Sequence, residues 1–257
     1  MSTGRAQYNP PGPRAISWQT GMVERVAIEN YRVKTFTVKL SDWTPFRPGQ
    51  HFDVRLTAPD GYQAQRSYSI GSAPENEGVI DLTIELIPDG EVSLYFHEAV
   101  QPGDEIELRG PIGGPFTWTG NTGGPLLLIA GGSGIVPLMS MVRHRGNSAN
   151  DVRALLLYSS RSLDDIIYGE ELEQRGGTEP NLTVLHTLTR FQPEGWQGYS
   201  RRIDRLMVEE AIKRLDSVPH IYACGPTPFV EAAADISVAF GIPPERIRTE
   251  RFGPSGT

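Results

Sequence analysis

The sequence predicts two differently built halves, an N-terminal antiparallel β-barrel followed by a C-terminal Rossmann-like parallel sheet interleaved with helices. Three observations point there. Between Gly21 and Arg109, short alternating segments are separated by turn signals such as Pro48-Gly49, Pro59-Asp60-Gly61 and Pro88-Asp89-Gly90. From Leu126 onward, strand patterns alternate with helical ones, the grammar of a parallel sheet covered on both faces. Between them lies Thr117-Trp-Thr-Gly-Asn-Thr-Gly-Gly124, polar and glycine-rich, a natural boundary. The expected organisation is a loose Pro- and Gly-rich arm over 1–15, a barrel domain over 16–120 and a parallel-sheet domain over 121–257.

In the first half, alternating apolar and polar residues predict strands over 22–28, 33–40, 51–56, 66–70, 79–86 and 105–109. One helical stretch, 92–100, interrupts them, and the set reads as a small antiparallel barrel. In the second half the run Leu126-Leu-Leu-Ile-Ala130 is apolar throughout, as a strand buried on both faces should be. Further strands are expected over 152–158, 182–189 and 220–223, with helices over 136–145, 168–174, 204–215 and 227–240. Ligands of such sheets sit beyond the C-terminal strand ends.

The chain has 257 residues, 38% hydrophobic and 21% charged, which is ordinary for a folded globular protein of one or two domains. A net charge of −7 argues against nucleic acid as a partner, since phosphate binding needs a basic surface. One cysteine, Cys224, excludes an intrachain disulfide, a zinc ribbon and a four-thiolate iron–sulfur cluster within this sequence. No metal ligands are expected. Residues 1–14 lack the apolar core of a secretory signal, and no run of about 18 apolar residues exists to span a membrane. The expected location is the cytoplasm, without membrane insertion.

Two turns have the makings of anion sites. Arg66-Ser67-Tyr68-Ser69-Ile70 ends a strand candidate. Its guanidinium can pair with a pyrophosphate, its ring can lie against an isoalloxazine, and its hydroxyl can bond a flavin ring nitrogen. Alone it reads as a polar edge strand, and the sites that follow it change that reading. Gly90-Glu-Val92-Ser93 opens the barrel's helix, where Ser93 is placed to cap and the helix N-terminus to attract phosphate. The second turn, Gly131-Gly132-Ser133-Gly134, follows the apolar strand and has too little side chain to keep a phosphate from its N–H groups. Pro137 stands where a G-x-G-x-x-G fingerprint has its third glycine, and proline is tolerated in a helix's first turn.

An NAD site usually carries an acidic residue at the tip of its second strand, yet that tip reads Tyr158-Ser-Ser-Arg161 with no carboxylate until Asp164. Thr189-Arg190 and Tyr199-Ser-Arg-Arg202 add hydroxyls and guanidiniums that suit a 2′-phosphate, which favours NADPH over NADH; each arginine alone also fits a solvated surface charge. Ala223-Cys224-Gly225-Pro226 ends the last expected strand. Its thiol is either a small packed hydrophobe or a neighbour of a reacting ring.

These residues, in this order, resemble the ferredoxin–NADP⁺ reductase superfamily from about Gly21 to Phe252. The resemblance is carried by Arg66-x-Tyr68-Ser69, Gly90-x-x-Ser93, Gly131-Gly-x-Gly134, Cys224-Gly-Pro226 and Glu250-x-Phe252. It implies a flavin-binding barrel followed by an NAD(P)-binding domain, with FAD or, less in keeping, FMN, and NADPH or NADH as co-substrate. By resemblance, Arg66 and Ser93 hold the FAD pyrophosphate, Tyr68 stacks on the flavin and Ser69 bonds near N5. Gly131, Gly132 and Gly134 carry the NAD(P) pyrophosphate. Thr189 and Arg190 match 2′-phosphate contacts, and Tyr199 an adenine-side neighbour. Cys224 and Glu250 match the pair beside the hydride-transfer site, and with Ser69 they are the expected catalytic residues.

Phe252 stands where plant-type members end in a flavin-covering tyrosine, but here Gly253–Thr257 follow it. Pro111-Ile-Gly-Gly-Pro-Phe116 also departs from the more usual P-x-G-x-F. With no four-cysteine segment, the chain is expected to be a stand-alone reductase that passes electrons singly to a ferredoxin or an oxygenase component. Two other readings stay open: a flavin, ferric-chelate or oxygen reductase with no protein partner, and a flavin-binding subunit or sensor that never reacts with NAD(P)H.

Overall fold

The computed structural model describes residues 16–148 and 151–252, so the expected arm and the residues after Phe252 lie outside it. The first half comprises β1 (Trp18–Asn30), β2 (Val33–Leu40), β3 (His51–Thr57), β4 (Gln63–Ser69), β5 (Val79–Glu85), helix α1 (Glu91–Glu98) and β6 (Glu105–Ile112). The strands pair antiparallel in the order β4-β3-β6-β1-β2-β5. No continuous ladder closes this sheet into the expected barrel. Its end strands meet at one bridge, Ile70 to Leu82, beside which the Gly71 N–H donates to Asp81 O at 2.8 Å. The physical reason lies in β4, which buries only Ala64 fully and has little apolar side chain to draw its edge onto β5.

Alternation along the strands fills the interior. Phe36, Val38, Phe52, Val54, Ile80, Leu82, Ile84 and Leu108 form one core with Val92 and Phe96 of α1. Phe96 meets Phe36 edge-on at 5.0 Å, which docks α1 onto the sheet.

The second half comprises β7 (Leu126–Gly131), α2 (Ile135–Asn147), β8 (Ala154–Ser160), α3 (Gly169–Thr178), β9 (Leu182–Leu188), α4 (Arg205–Lys213), β10 (His220–Pro226), α5 (Thr227–Ala239) and β11 (Ile247–Phe252). Its strands are parallel in the order β11-β10-β7-β8-β9. Leu126, Leu128 and Ala130 pack with α2 and α3 on one face, while Leu127 and Ile129 pack with α4 and α5 on the other. This two-sided burial explains the unbroken apolar run. No helix among the described residues is long and apolar enough to cross a membrane.

One core crosses between the halves: Val33, Phe116 and Trp118 belong to the cluster under α2. Polar contacts reinforce it, with Arg32 Nη2 at 2.9 Å from Asp165 Oδ1 and the Tyr222 hydroxyl donating to Thr117 O at 3.0 Å. Strand β11 was not expected. Its alternating charges hide it, as they do on edge strands that must not pair further.

Helix α4 begins where Asp204 Oδ1 accepts the Met207 N–H at 2.9 Å. Asp204→Ala is expected to cost about 1 kcal/mol of stability, the usual worth of such a cap, read from a urea unfolding midpoint.

Candidate active site at the joint of the two sheets

The C-terminal tips of the parallel strands face the end of β4. Parallel register sets Cys224 of β10 beside Glu250 of β11, and Pro226 beside Phe252. Across the joint, Ser69 Oγ donates to Glu250 Oε1 at 3.4 Å, a contact spanning 181 positions of sequence. The three expected catalytic residues are therefore neighbours, drawn from both halves.

Burial sets their charge. It pushes the Glu250 carboxyl up to about 7, against an opposing hydrogen bond from Ser69. Burial, with the Glu250 carboxylate added, also holds the Cys224 thiol well above its ordinary range. A neutral thiol is a poor nucleophile, and this one is packed into the core under α2. Glu250 also lines a cleft of about 390 Å³ together with His51, Gly113, Phe116 and Arg248.

Strand alternation divides the Arg66–Ile70 segment. Tyr68 turns inward, its ring 6.1 Å from Phe96 and its hydroxyl pushed up to about 12 by burial. Arg66 is exposed, donates to Gln65 O at 2.7 Å and pairs with no carboxylate among the described residues. Ser67 turns to the other face and donates to Asp53 Oδ1 at 2.6 Å, so its hydroxyl is engaged within the protein. Ile70 is fully buried and belongs to the core, as does Val92 at 1% exposure, which leaves only backbone groups of either for a ligand.

Ser93 does not cap α1. Its Oγ donates to Gly90 O and accepts the Ile87 N–H, both at 3.1 Å, and so braces the turn that enters the helix. Gly90 is the N-cap and supplies no side-chain acceptor. Helix α2 begins the same way, after Gly131–Gly134, with no side-chain cap. Both helices thus present first-turn N–H groups without side-chain partners, the seat an anion takes.

The glycines of the second turn have separate reasons. Gly132 adopts φ +55, and a Cβ there would meet nothing within 4 Å, so room exists on that side for a ligand. At Gly134 a Cβ would lie 2.1 Å from Cys224 O, so the last glycine lets α2 approach the tip of β10. Ser133 is half-buried beside it, and Gly225 is buried within the same tip.

At the tips of β8 and β9, the Thr189 N–H and Oγ both donate to Ser160 O, at 2.9 and 3.2 Å. The Arg190 N–H donates to Arg161 O at 2.9 Å, which joins the backbones of two exposed arginines. Arg190 has no ion pair among the described residues, whereas Arg201 is paired with Asp204. Tyr199 joins this corner through Leu188, whose N–H it accepts at 2.9 Å, and its hydroxyl is held by Glu210. Phe252, 37% exposed, ends β11.

Sequence reasoning missed Asp53, buried beneath Ser67 and Arg109, and it missed Arg143 and Tyr168 at the joint. Cross-strand pairing of Asp53 with Ser67 could have exposed the first. The other two have no signal in sequence because their partners are distant in the chain.

An antiparallel sheet and a parallel sheet with helices, joined at such a cleft, define a two-part nucleotide-binding oxidoreductase. Residues 22–117 match the oxidoreductase FAD-binding domain and residues 128–235 the oxidoreductase NAD-binding domain. The chain belongs to the ferredoxin–NADP reductase family. It is 31% identical over 211 residues to ferredoxin–NADP reductase B of Sorangium cellulosum, covering 80% of this chain and 85% of that one. It is 32% identical to the glycine betaine monooxygenase reductase subunit of Pseudomonas aeruginosa, covering 82% of this chain but 57% of that one. The chain thus spans little more than half the length of that relative. In fold it is similar to a ferredoxin NADP⁺ reductase of Neisseria gonorrhoeae solved with FAD and NADP, with TM-score 0.76, 20% identity and coverage of 91% and 98%.

Proposed function

We propose that this chain is an FAD-dependent NAD(P)H oxidoreductase that favours NADPH and passes electrons singly to a ferredoxin or an oxygenase component. The observation that carries it is the Ser69–Glu250 contact, which joins the flavin-side strand to the strands beside the nicotinamide position. Arg66 and the uncapped start of α1 at Gly90, Val92 and Ser93 would hold the FAD pyrophosphate, and Tyr68 the flavin ring. The Gly131–Gly134 turn and the start of α2 would hold the nucleotide pyrophosphate. Thr189 and Arg190 would take a 2′-phosphate with Tyr199 on the adenine side, and Cys224, Gly225 and Pro226 would line the nicotinamide. Phe252 would cover the flavin.

Bound FAD supplies the conversion of a two-electron donor into single electrons. The chain's own groups do the rest. Ser69 Oγ donates to Glu250 Oε1, and Glu250, protonated up to about pH 7, would exchange a proton with that hydroxyl beside a bound acceptor nitrogen. The buried thiol of Cys224 keeps its proton and fixes distance. Similarity to a monooxygenase reductase subunit supports an oxygenase-type acceptor.

The test is to release and identify the flavin, then titrate the protein anaerobically with NADPH and NADH in parallel. Bleaching of the yellow colour is expected, faster with NADPH, and a flavin that stays oxidised with both overturns the reading. Arg190→Ala should weaken NADPH about tenfold while leaving NADH unchanged, the loss of one hydrogen bond to a charged phosphate. Equal weakening of both coenzymes would refute the 2′-phosphate assignment.

A further inference from the structure

Helix α2 starts at the Gly131–Gly134 turn and carries two donors aimed at the other half, three residues apart on one face. Ser140 Oγ donates to Ser72 O at 2.6 Å, and Arg143 Nη1 donates to Gly71 O at 2.8 Å. The two carbonyls are consecutive and lie just beyond Ser69 and Ile70. Ser140 is fully buried, and the Arg143 side chain is only 15% exposed.

Arg143 also reaches two further elements. Its Nε and Nη2 bond Glu171 of α3 at 3.1 and 2.5 Å, and its Nη1 lies 3.7 Å from Asp81 of β5. Burial would raise the Glu171 carboxyl, but hydrogen bonds from Arg143 and then Arg175 hold it below the usual range, so the pair is ionic. The guanidinium stacks over the Tyr168 ring at 4.8 Å. Tyr168 itself sits at φ +59, an uncommon conformation for an aromatic residue, and its hydroxyl is tied to Thr83 of β5. A half-buried arginine pays desolvation unless its planar fork is filled, and a filled fork fixes its partners relative to one another.

We propose that Arg143, with Ser140, is a positioning residue that couples the nucleotide turn, through rigid α2, to the strand end carrying Ser69. It thereby sets the spacing between Ser69 and the Cys224–Glu250 pair. The inference rests on the roles proposed above for Ser69 and the Gly131–Gly134 turn.

The experiment compares flavin-loaded wild type with Arg143→Met, Arg143→Lys and Ser140→Ala by two readouts. The first is amide hydrogen exchange of the segment 70–82, with 204–215 as an internal control. The second is single-turnover flavin reduction at saturating NADPH. In Arg143→Met, exchange of 70–82 should quicken while 204–215 stays unchanged. Reduction should slow about tenfold or more, because a small misplacement of reacting groups is costly, with nucleotide affinity changed by less than about twofold. Arg143→Lys should recover part of the rate, since an ammonium serves one acceptor but not the whole fork. Ser140→Ala should show a smaller change in the same direction, and with Arg143→Lys it carries the test if Arg143→Met does not fold. Wild-type exchange and wild-type reduction in both Arg143 variants and Ser140→Ala would overturn the proposal, as would weaker nucleotide binding with an unchanged reduction step. A wild type that neither coenzyme reduces would sink the oxidoreductase reading instead, and the exchange data would still decide whether the clamp exists.

Discussion

Gly134→Ala is expected to destabilise the protein by about 3 kcal/mol, the upper part of the range for overpacking a tight site. The added Cβ would lie 2.1 Å from Cys224 O, 2.4 Å from its carbonyl carbon and 2.8 Å from the Gly225 nitrogen. All three are backbone atoms near the end of β10, which is held by β11 on one side and β7 on the other. No rotamer change relieves such a contact, so α2 must retreat or the tip of β10 must bend. Bending β10 shifts Cys224 away from its register partner Glu250, and a retreat of α2 shifts the Gly131–Gly134 turn. The urea midpoint should fall, and NADPH affinity should fall with it. Gly132→Ala is the informative companion. Its Cβ meets nothing, so its cost is only that of a left-handed alanine, about 1–2 kcal/mol. Equal midpoints for wild type and Gly134→Ala would mean that the close approach of α2 to β10 is wrong.

The glycines also show what sequence could convey. Gly131-Gly-Ser-Gly134 after an apolar run announces a tight strand-to-helix turn, and one stands there. The same letters do not say that Gly132 faces open space while Gly134 faces a neighbouring strand, because that depends on β10, some ninety residues further on. Periodicity placed the elements of both halves within a few residues, since burial on one or two faces writes itself into local pattern. Strand β11 escaped because an edge strand with a half-exposed surface, Ile-Arg-Thr-Glu-Arg-Phe, has no apolar run to betray it. Barrel closure escaped for a related reason, as it depends on a single bridge at Ile70 rather than on composition.

Side-chain surroundings were illegible where partners distant in the chain set them. Ser93 sat at the right place to cap, yet Gly90 O and Ile87 N–H claim its hydroxyl. Ser67 lay within the Arg66–Ser69 motif, yet Asp53 holds it from the adjacent strand. Arg143 and Tyr168 carried no motif at all. Their importance arises from Gly71, Asp81, Thr83 and Glu171, which only the folded chain assembles.

Glu250→Gln should stabilise the protein at pH 8 and flatten its stability profile, the reverse of what removing a carboxylate usually does. In the unfolded chain this side chain ionises near its ordinary 4.5, but burial raises it to about 7 in the fold. The folded state therefore holds the extra proton between those values, and stability falls as pH rises from 4.5 through 7. A shift of that size corresponds to about 3 kcal/mol lost by pH 8, an order-of-magnitude figure for a largely buried group. The glutamine has no charge to desolvate, so urea unfolding should give equal stability to wild type near pH 4.5 and a gain of up to that amount at pH 8. Function should move oppositely. The amide oxygen can still accept from Ser69 Oγ, but the amide cannot take up or release a proton, so the inflection near pH 7 in flavin reduction should vanish and the rate below it should drop. Wild-type pH dependence of both stability and reduction in Glu250→Gln would show that the proton near 7 resides on another group.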